Sequence, residues 1–444
     1  MENENRLSQR LLRYAKVTSA ISGLAARLAG EKYLGLKIDR DTHADDLKQI
    51  LGNLKGPLMK VAQILATVPD ILPEEYAEQL AELQSNAPPM GWFFVKRRME
   101  AELGKQWRSY FNDFDEAASA AASLGQVHKA TLSQSNETVA CKLQYPDMTS
   151  IVEADLEQLK IILSIYESFN KAIHTQNMYD EIVDRMREEL DYTLEAKHIK
   201  LFQYMLKDSP TVSIPKVYDD LSTKRLLTMS WLEGNKITSQ NIPSETYKNK
   251  MAMNLFHAWY RPLYSYGIIH GDPHLGNYTA SPDGHLNLLD FGCIRIFKPS
   301  FVEGVIHLYQ ALKTNNRDLA YHAYTIWGFQ NLSHDLMDIL NLWARFLYEP
   351  LMDDRIRPIQ EGHTGIYGKE VADTVHRKLQ ELGGVIPPKE FVFMDRAAVG
   401  IGSALMRLNV KENWHQIFES LIEDFSTEKL EENQTLALTS CGLS

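Results

Sequence analysis

Ile268-Ile269-His270-Gly271-Asp272-Pro273-His274-Leu275-Gly276-Asn277, followed by Leu288-Leu289-Asp290-Phe291-Gly292, is the stretch that decides the fold. Asp272 is followed five residues later by Asn277 and eighteen residues later by Asp290. Ser281-Pro282-Asp283-Gly284 lies between them and supplies the turn that lets the chain double back. Phosphoryl transfer from a nucleotide needs a carboxylate to orient the acceptor and oxygen ligands for a Mg²⁺ ion that bridges the phosphates. Kinase-like catalytic loops meet both needs with an Asp, an Asn five residues on, and the Asp of a DFG element after a short hairpin. Any one of these elements alone is an ordinary turn. Together they assign Asp272 to the acceptor, and Asn277 and Asp290 to Mg²⁺ beside ATP.

The partner elements lie upstream. Ala120-Ala121-Ala122-Ser123-Leu124-Gly125-Gln126-Val127 fits the frame of a kinase Gly-rich loop with two glycines replaced by alanine. Glycine lets backbone N–H groups turn towards phosphates at positive φ and alanine resists that, so this loop grips phosphates in an altered way. Lys142, in Val139-Ala140-Cys141-Lys142, follows Gly125 by seventeen residues and is the candidate phosphate-holding lysine. An acid on a helix should hold that lysine, and Asp191 and Glu195, four apart on one helical face, are the candidates. Met229 to Leu232 occupy the place in the chain where kinases hold adenine through the backbone.

The rest of the chain reads as mixed helix and strand. Strands are expected at 126–132, 138–144, 215–219 and 225–232, with helical periodicity over 43–106, 150–206 and most of the chain after 245. Cys293 to Pro299 runs almost directly into a helical pattern at 300–313. Little chain remains there for a peptide-docking platform, which favours a small or lipid-like acceptor, or water. The apolar residues Trp327, Trp343, Phe346 and Phe391 to Met394 read as core.

With 444 residues, the chain is long enough for about three domains or one two-lobed unit with additions. Its 47 Lys and Arg against 58 Asp and Glu leave a net charge of −11, which argues against nucleic acid as a partner. Cys141, Cys293 and Cys441 are scattered, with no CxxC pair, which favours a reducing compartment, cytoplasmic or matrix-like. No run of 18 apolar residues suggests a transmembrane helix, and no uninterrupted apolar stretch near the N-terminus suggests a secretory signal. Residues 6–32 read as a basic amphipathic helix, either docking on an anionic membrane or packing on its own domain. Glu2 and Glu4 argue against a mitochondrial transit peptide.

The chain resembles the UbiB/AarF/ADCK atypical kinase family, associated with coenzyme Q biosynthesis. The resemblance runs from about Leu51 to Arg295 and weakens after about 330. It is carried by Gly56–Leu65, Pro69–Tyr76, Ala120–His128, Glu189-Leu190-Asp191-Tyr192 and His270-Gly271-Asp272-Pro273-His274. The family's K-x-G-Q element falls on Lys60 and Gln63, with Ala62 in place of glycine, and its E-x-D element on Glu189 and Asp191. The resemblance puts the lysine-bracing acid on Glu195. It also implies that Lys60 and Gln63 face Glu189 and Asp191 across the site, where a protein substrate would otherwise dock.

The expected fold is α+β, a bilobal protein-kinase-like fold with a helical N-terminal extension and a helical C-terminal addition. The expected division is 1–106 (extension), 107–233 (N-lobe), 234–330 (C-lobe) and 331–444 (C-terminal helices). The expected function is an ATP- and Mg²⁺-dependent atypical kinase or ATPase that supports ubiquinone biosynthesis. Its partners would be nucleotide, a lipid or quinone precursor, a membrane surface through 6–32, and a biosynthetic protein complex. Two rivals stay open: a non-catalytic nucleotide-gated scaffold, and a small-molecule phosphotransferase of aminoglycoside-kinase type, whose H-G-D-x-x-x-x-N pattern is shared.

Overall fold

The computed structural model describes residues 90–443 apart from 123, 170–175, 238–243, 362–367, 383–384 and 386–387. Residues 1–89 of the expected extension, with Lys60, Gln63 and the basic helix at 6–32, lie outside the described residues, as does Ser123. The chain divides into two units, Met1–Leu190 and Asp191–Ser444.

Among the described residues, the first unit holds helix α1 (Trp92–Leu103) and strands β1 (Phe111–Phe114), β2 (Ala120–Ala122), β3 (Gly125–Leu132) and β4 (Thr138–Gln144). β3 is central here, antiparallel to β1, β2 and β4. The expected strand at 138–144 is found residue for residue, and the one at 126–132 starts one residue early. Helices α2 (Met148–Phe169) and α3 (Gln176–Glu188) follow. Met148, Val152, Leu156, Leu159 and Leu163 recur every three or four residues along α2, forming one apolar stripe. It is buried with Ile182, Met186 and Leu190, each such side chain contributing about 1.5–3 kcal/mol.

The second unit holds α4 (Tyr192–Met205), β5 (Val212–Ser213), β6 (Leu226–Ser230), β7 (Asn235–Lys236) and α5 (Glu245–Tyr266). Next come β8 (Ile268–His270), β9 (Tyr278–Ala280), β10 (Leu286–Leu288) and β11 (Ile294–Ile296). A small sheet runs β5-β10-β9-β7, and β8 pairs with β11 separately. Ser244 caps the start of α5, and Gly267, at φ +65°, ends it in the left-handed region so that β8 can begin at once. A Cβ there would stand 2.7 Å from Gln434 Nε2.

The rest is helical: α6 (Pro299–Thr314), α7 (Arg317–Ile326), α8 (His334–Met352), α9 (Lys369–Glu381), α10 (Lys389–Leu408), α11 (Trp414–Ile422) and α12 (Thr427–Ser440). A two-stranded ribbon, β12 (Arg357–Pro358) with β13 (Lys411–Glu412), interrupts them.

One expected strand is absent. Within 215–219 only Val217 forms a bridge, to Met229, and Asp219–Leu221 turns into a 3-10 helix. Pro215 has no N–H to give a ladder, and Asp219 and Asp220 favour a turn.

Candidate active site

In the first unit, the alanine-rich segment is a tight hairpin. Ala120 lies opposite Val127, which lies opposite Lys142 across β4; Ala122 lies opposite Gly125, which lies opposite Gln144. Residues directly opposite in antiparallel strands share a face, so Lys142 projects on the face that carries Ala120 and Ala122. Lys142 is 8% exposed. Ala120 and Ala121 are exposed, Ala122 and Val127 half-buried and Gly125 buried.

Gln126 anchors this hairpin. Its Oε1 accepts from Met90 N (2.7 Å), and its Nε2 donates to Met90 O (3.2 Å) and His128 Nε2 (2.8 Å). His128 Nδ1–H in turn donates to the Asp115 carbonyl at 2.8 Å. Burial holds the His128 pKa below its usual value, against the pull of that carbonyl. Neutral His128 therefore acts as a fixed peg under β3.

In the second unit, Asp272, Asn277 and Asp290 come together. Asn277 Nδ2 donates to the Asp272 carbonyl (2.9 Å) and to Asp272 Oδ2 (3.3 Å). Leu288 lies opposite Tyr278 in the β9–β10 hairpin, and Leu289 N donates to the Asn277 carbonyl at 3.0 Å. That register sets Asp290 beside Asn277. The turn expected at 281–284 closes the hairpin, with Gly284 at φ +81° and Ser281 Oγ accepting from His285 N at 2.9 Å.

One imidazole joins the two segments. His270, 3% exposed, accepts from Asp272 N at Nδ1 (3.2 Å), so its Nε2 carries the proton that it donates to the Asp290 carbonyl at 2.6 Å. Trp259 Nε1 donates to the His270 carbonyl at 3.1 Å. Gly271 N donates to Cys293 O at 2.7 Å, which ties the strands on either side of the site. Burial pushes the Tyr278 hydroxyl pKa well up, and the Asp272 and Asp290 carboxylates add to it, so both carboxylates act on one point.

Phe291 is fully buried, with ring centroids 5.4 Å from Phe202 and 6.1 Å from His270. His198 Nδ1–H donates to its carbonyl at 3.0 Å. Burial pushes the His198 pKa down to about 4 against the carbonyl's pull, helped by Arg295 and His270. His198 is therefore a neutral donor near pH 7. Asp290 Oδ1 accepts from Gly292 N at 2.9 Å, which fixes the carboxylate at the turn.

Asp191 is the N-cap of α4. It accepts from Thr193 N (3.0 Å), Thr193 Oγ1 (2.5 Å) and Leu194 N (3.4 Å), with Lys224 Nζ 3.8 Å away. Burial opposes its charge, but these donors and Lys224 hold its pKa below the usual carboxylate range. Glu195, one turn on, is 4% exposed, and Glu189 is half-buried just after α3. In β6, Met229 is buried, and Leu232 beyond it is half-buried.

The linking roles of His270, His198 and Gln126 are not evident from spacing alone. A signal was available for His198, which shares a helical face with Glu195 three residues before it and Phe202 four after it.

Asn277 and Asp290 fit a hard cation. Asn277 spends its amide N–H on Asp272, and its Oδ1 is a neutral oxygen donor next to a carboxylate. Mg²⁺ is held by one or two such protein oxygens together with phosphates and water, so a larger protein-only cluster is not required.

The family model for the ABC1 atypical kinase-like domain matches residues 82–323. The chain belongs to this kinase-like family. It is the family that the motifs resemble, with aarF-domain kinases among its members, and the fold is the kinase-like α+β fold. Over 346 residues the chain is 33% identical to Protein ACTIVITY OF BC1 COMPLEX KINASE 1, chloroplastic, of Arabidopsis thaliana, spanning 74% of this chain and 49% of that protein. It is 29% identical over 264 residues to the mitochondrial atypical kinase COQ8 of Saccharomyces cerevisiae, spanning 59% of this chain and 52% of that one. This kinase-like chain thus spans about half the length of these two curated relatives. A solved structure of Rv3197 with erythromycin from Mycobacterium tuberculosis superimposes with a TM-score of 0.57 at 27% identity, covering 86% of this chain and 96% of that one. Among the described residues no helix is long and apolar enough to cross a membrane.

Proposed function

We propose that this chain binds Mg²⁺–ATP and passes the terminal phosphoryl group to a small or lipid-like acceptor or to water, in support of ubiquinone biosynthesis. The observation that carries the reading is the His270 link, which fixes the backbone of Asp272 and Asp290 together through one buried ring. Asp272 orients the acceptor hydroxyl or water, steadied by Asn277 Nδ2. Asn277 Oδ1 and the Asp290 carboxylate would hold the cation. Mg²⁺, when bound, neutralises charge on the transferring group. Lys142 holds the α- and β-phosphates, and Glu195 is the acid that the family pattern assigns to it. The alanine hairpin covers the phosphates. Lys60, Gln63, Glu189 and Asp191 are assigned to a cover that excludes protein substrates. Peripheral membrane contact through 6–32 would bring a lipid acceptor within reach.

The alanine hairpin gives a second reading some support. Ala120–Ala122 are laddered to Gly125–Val127 as regular strand, without the backbone freedom of glycine. Such a loop suits a scaffold that is gated by nucleotide and turns over slowly. Phosphate release is measured with and without anionic vesicles and quinone-like phenols, beside transfer of label from γ-labelled ATP. Stimulated release or acceptor labelling supports the enzyme. Nucleotide binding without either supports the scaffold and overturns the enzymatic reading.

A further inference from the structure

Helix α5 and the helices after the catalytic segment enclose a cavity of about 70 Å³ that the proposed chemistry does not use. Its walls include Trp259, Tyr260 and Tyr264 from α5, Trp343 and Tyr348 from α8, and Asp395 from α10. Asp395 is a carboxylate inside an aromatic chamber. Among the described residues its one hydrogen bond comes from Trp343 Nε1 to Oδ1, and none of their cations pairs with it. Burial raises its pKa to about 6, against the help of that indole, so at neutral pH it is mostly charged, with no counter-ion among the described residues. Tyr348 Oη donates to Val305 O at 2.9 Å, whereas no hydrogen bond of the Tyr260 or Tyr264 hydroxyl occurs among the described residues. A largely apolar cavity with a few convergent polar groups has the make-up of a ligand site.

Charge and shape select the ligand. A neutral apolar molecule would leave the carboxylate unpaired, and an anion would be repelled. An organic cation gains both the carboxylate and the faces of the aromatic rings. The volume is about half of the ~150 Å³ that admits benzene, which leaves room for roughly three or four heavy atoms.

Two contacts join this chamber to the catalytic loop. Trp259 lines the cavity, and its Nε1 also holds the His270 carbonyl at 3.1 Å. On α10, five residues beyond Asp395, Gly400 touches Pro273, where a Cβ would stand 2.8 Å from Pro273 Cγ. We infer that this cavity binds a small alkylammonium head group, alone or as the end of a larger molecule, and that its occupation is felt at His270–Asn277 through Trp259 and α10.

The test uses the full chain, with trimethylammonium chloride as the probe and 2-propanol as the neutral molecule of similar size and shape. Binding is followed by calorimetry and tryptophan fluorescence, and its effect on the loop by hydrogen exchange in peptides spanning 268–277. Trimethylammonium is expected to bind saturably and to slow exchange in those peptides at least threefold. It should bind at least tenfold more tightly than 2-propanol. Asp395→Asn should weaken it at least tenfold, and Ala398→Leu, which fills the chamber, should abolish it. Absence of saturable binding, equal binding of 2-propanol, or unchanged affinity in Asp395→Asn would overturn the site. Binding without any change in exchange at 268–277 would overturn the link. Neither readout requires phosphoryl transfer, so the outcome is separable from that of the proposed function.

Discussion

Replacing Asp395 by Asn removes a buried charge and keeps an oxygen to accept from Trp343 Nε1. The size of the effect follows from the pKa, raised by burial from 3.8 to about 6. A carboxyl whose folded pKa lies above its unfolded value favours the protonated native state. Its contribution is fully present below about pH 3.8 and is lost as pH rises through about 6. At pH 7.5 the ionised group therefore costs about 3 kcal/mol relative to its neutral form, and at pH 5 about 2 kcal/mol. Asp395→Asn should stabilise the second unit at both values, and by roughly 1 kcal/mol more at pH 7.5 than at pH 5. For a unit of this size that difference is roughly 2–4 °C in Tm. Calorimetric melts of both proteins at the two pH values measure it. Because the result is a difference between proteins, other titrating groups, His198 among them, cancel. An equal gain at both pH values, or a loss at pH 7.5, would refute the account of Asp395 as an ion held in the chamber with no counter-charge among the described residues.

Three further outcomes are expected. His270→Phe fills the same space but leaves the Asp272 N–H and the Asp290 carbonyl without their shared partner; a loss of about 2–4 kcal/mol by denaturant titration is expected, with nucleotide affinity down at least tenfold. Gly400→Ala puts a Cβ 2.8 Å from Pro273 Cγ. Alanine's helix preference would otherwise gain ~1 kcal/mol, so a net loss of about 1–2 kcal/mol with faster exchange at 270–277 marks the contact, and a more stable variant contradicts it. His198→Phe deletes the donor to the Phe291 carbonyl and should lower stability by about 1–2 kcal/mol, read from Tm.

Much of the site can be read from the chain because its spacings are set by local geometry. Asp272 and Asn277 are joined within one loop, and Asp290 returns to them through a hairpin whose turn residues announce it. The strand that carries Lys142 is legible for the same reason, being joined to the strand of Gly125 by one turn. The strand expected at 215–219 fails because Pro215 at its start and the Asp219-Asp220 pair at its end outweigh the strand preference of Val217 and Tyr218. His198 reaches Phe291 across 93 residues; its helical face, shared with Glu195 and Phe202, marks the residue but does not name that partner. The Asp395 cavity is still less legible. Trp343, Phe391 and Met394 read as core, and they are largely core, but the space between them comes from the packing of several helices.

The central claim is that Asp272, Asn277 and Asp290 form the metal and acceptor end of a nucleotide site. Calorimetric titration of the full chain with ATP, with and without Mg²⁺ and beside Asp290→Asn, tests it most directly. Mg²⁺ should tighten nucleotide binding at least tenfold in the native chain, and Asp290→Asn should lose most of that gain while keeping its fold. Nucleotide binding that ignores Mg²⁺, or an Asp290→Asn chain that binds Mg²⁺–ATP as the native one does, would contradict the claim.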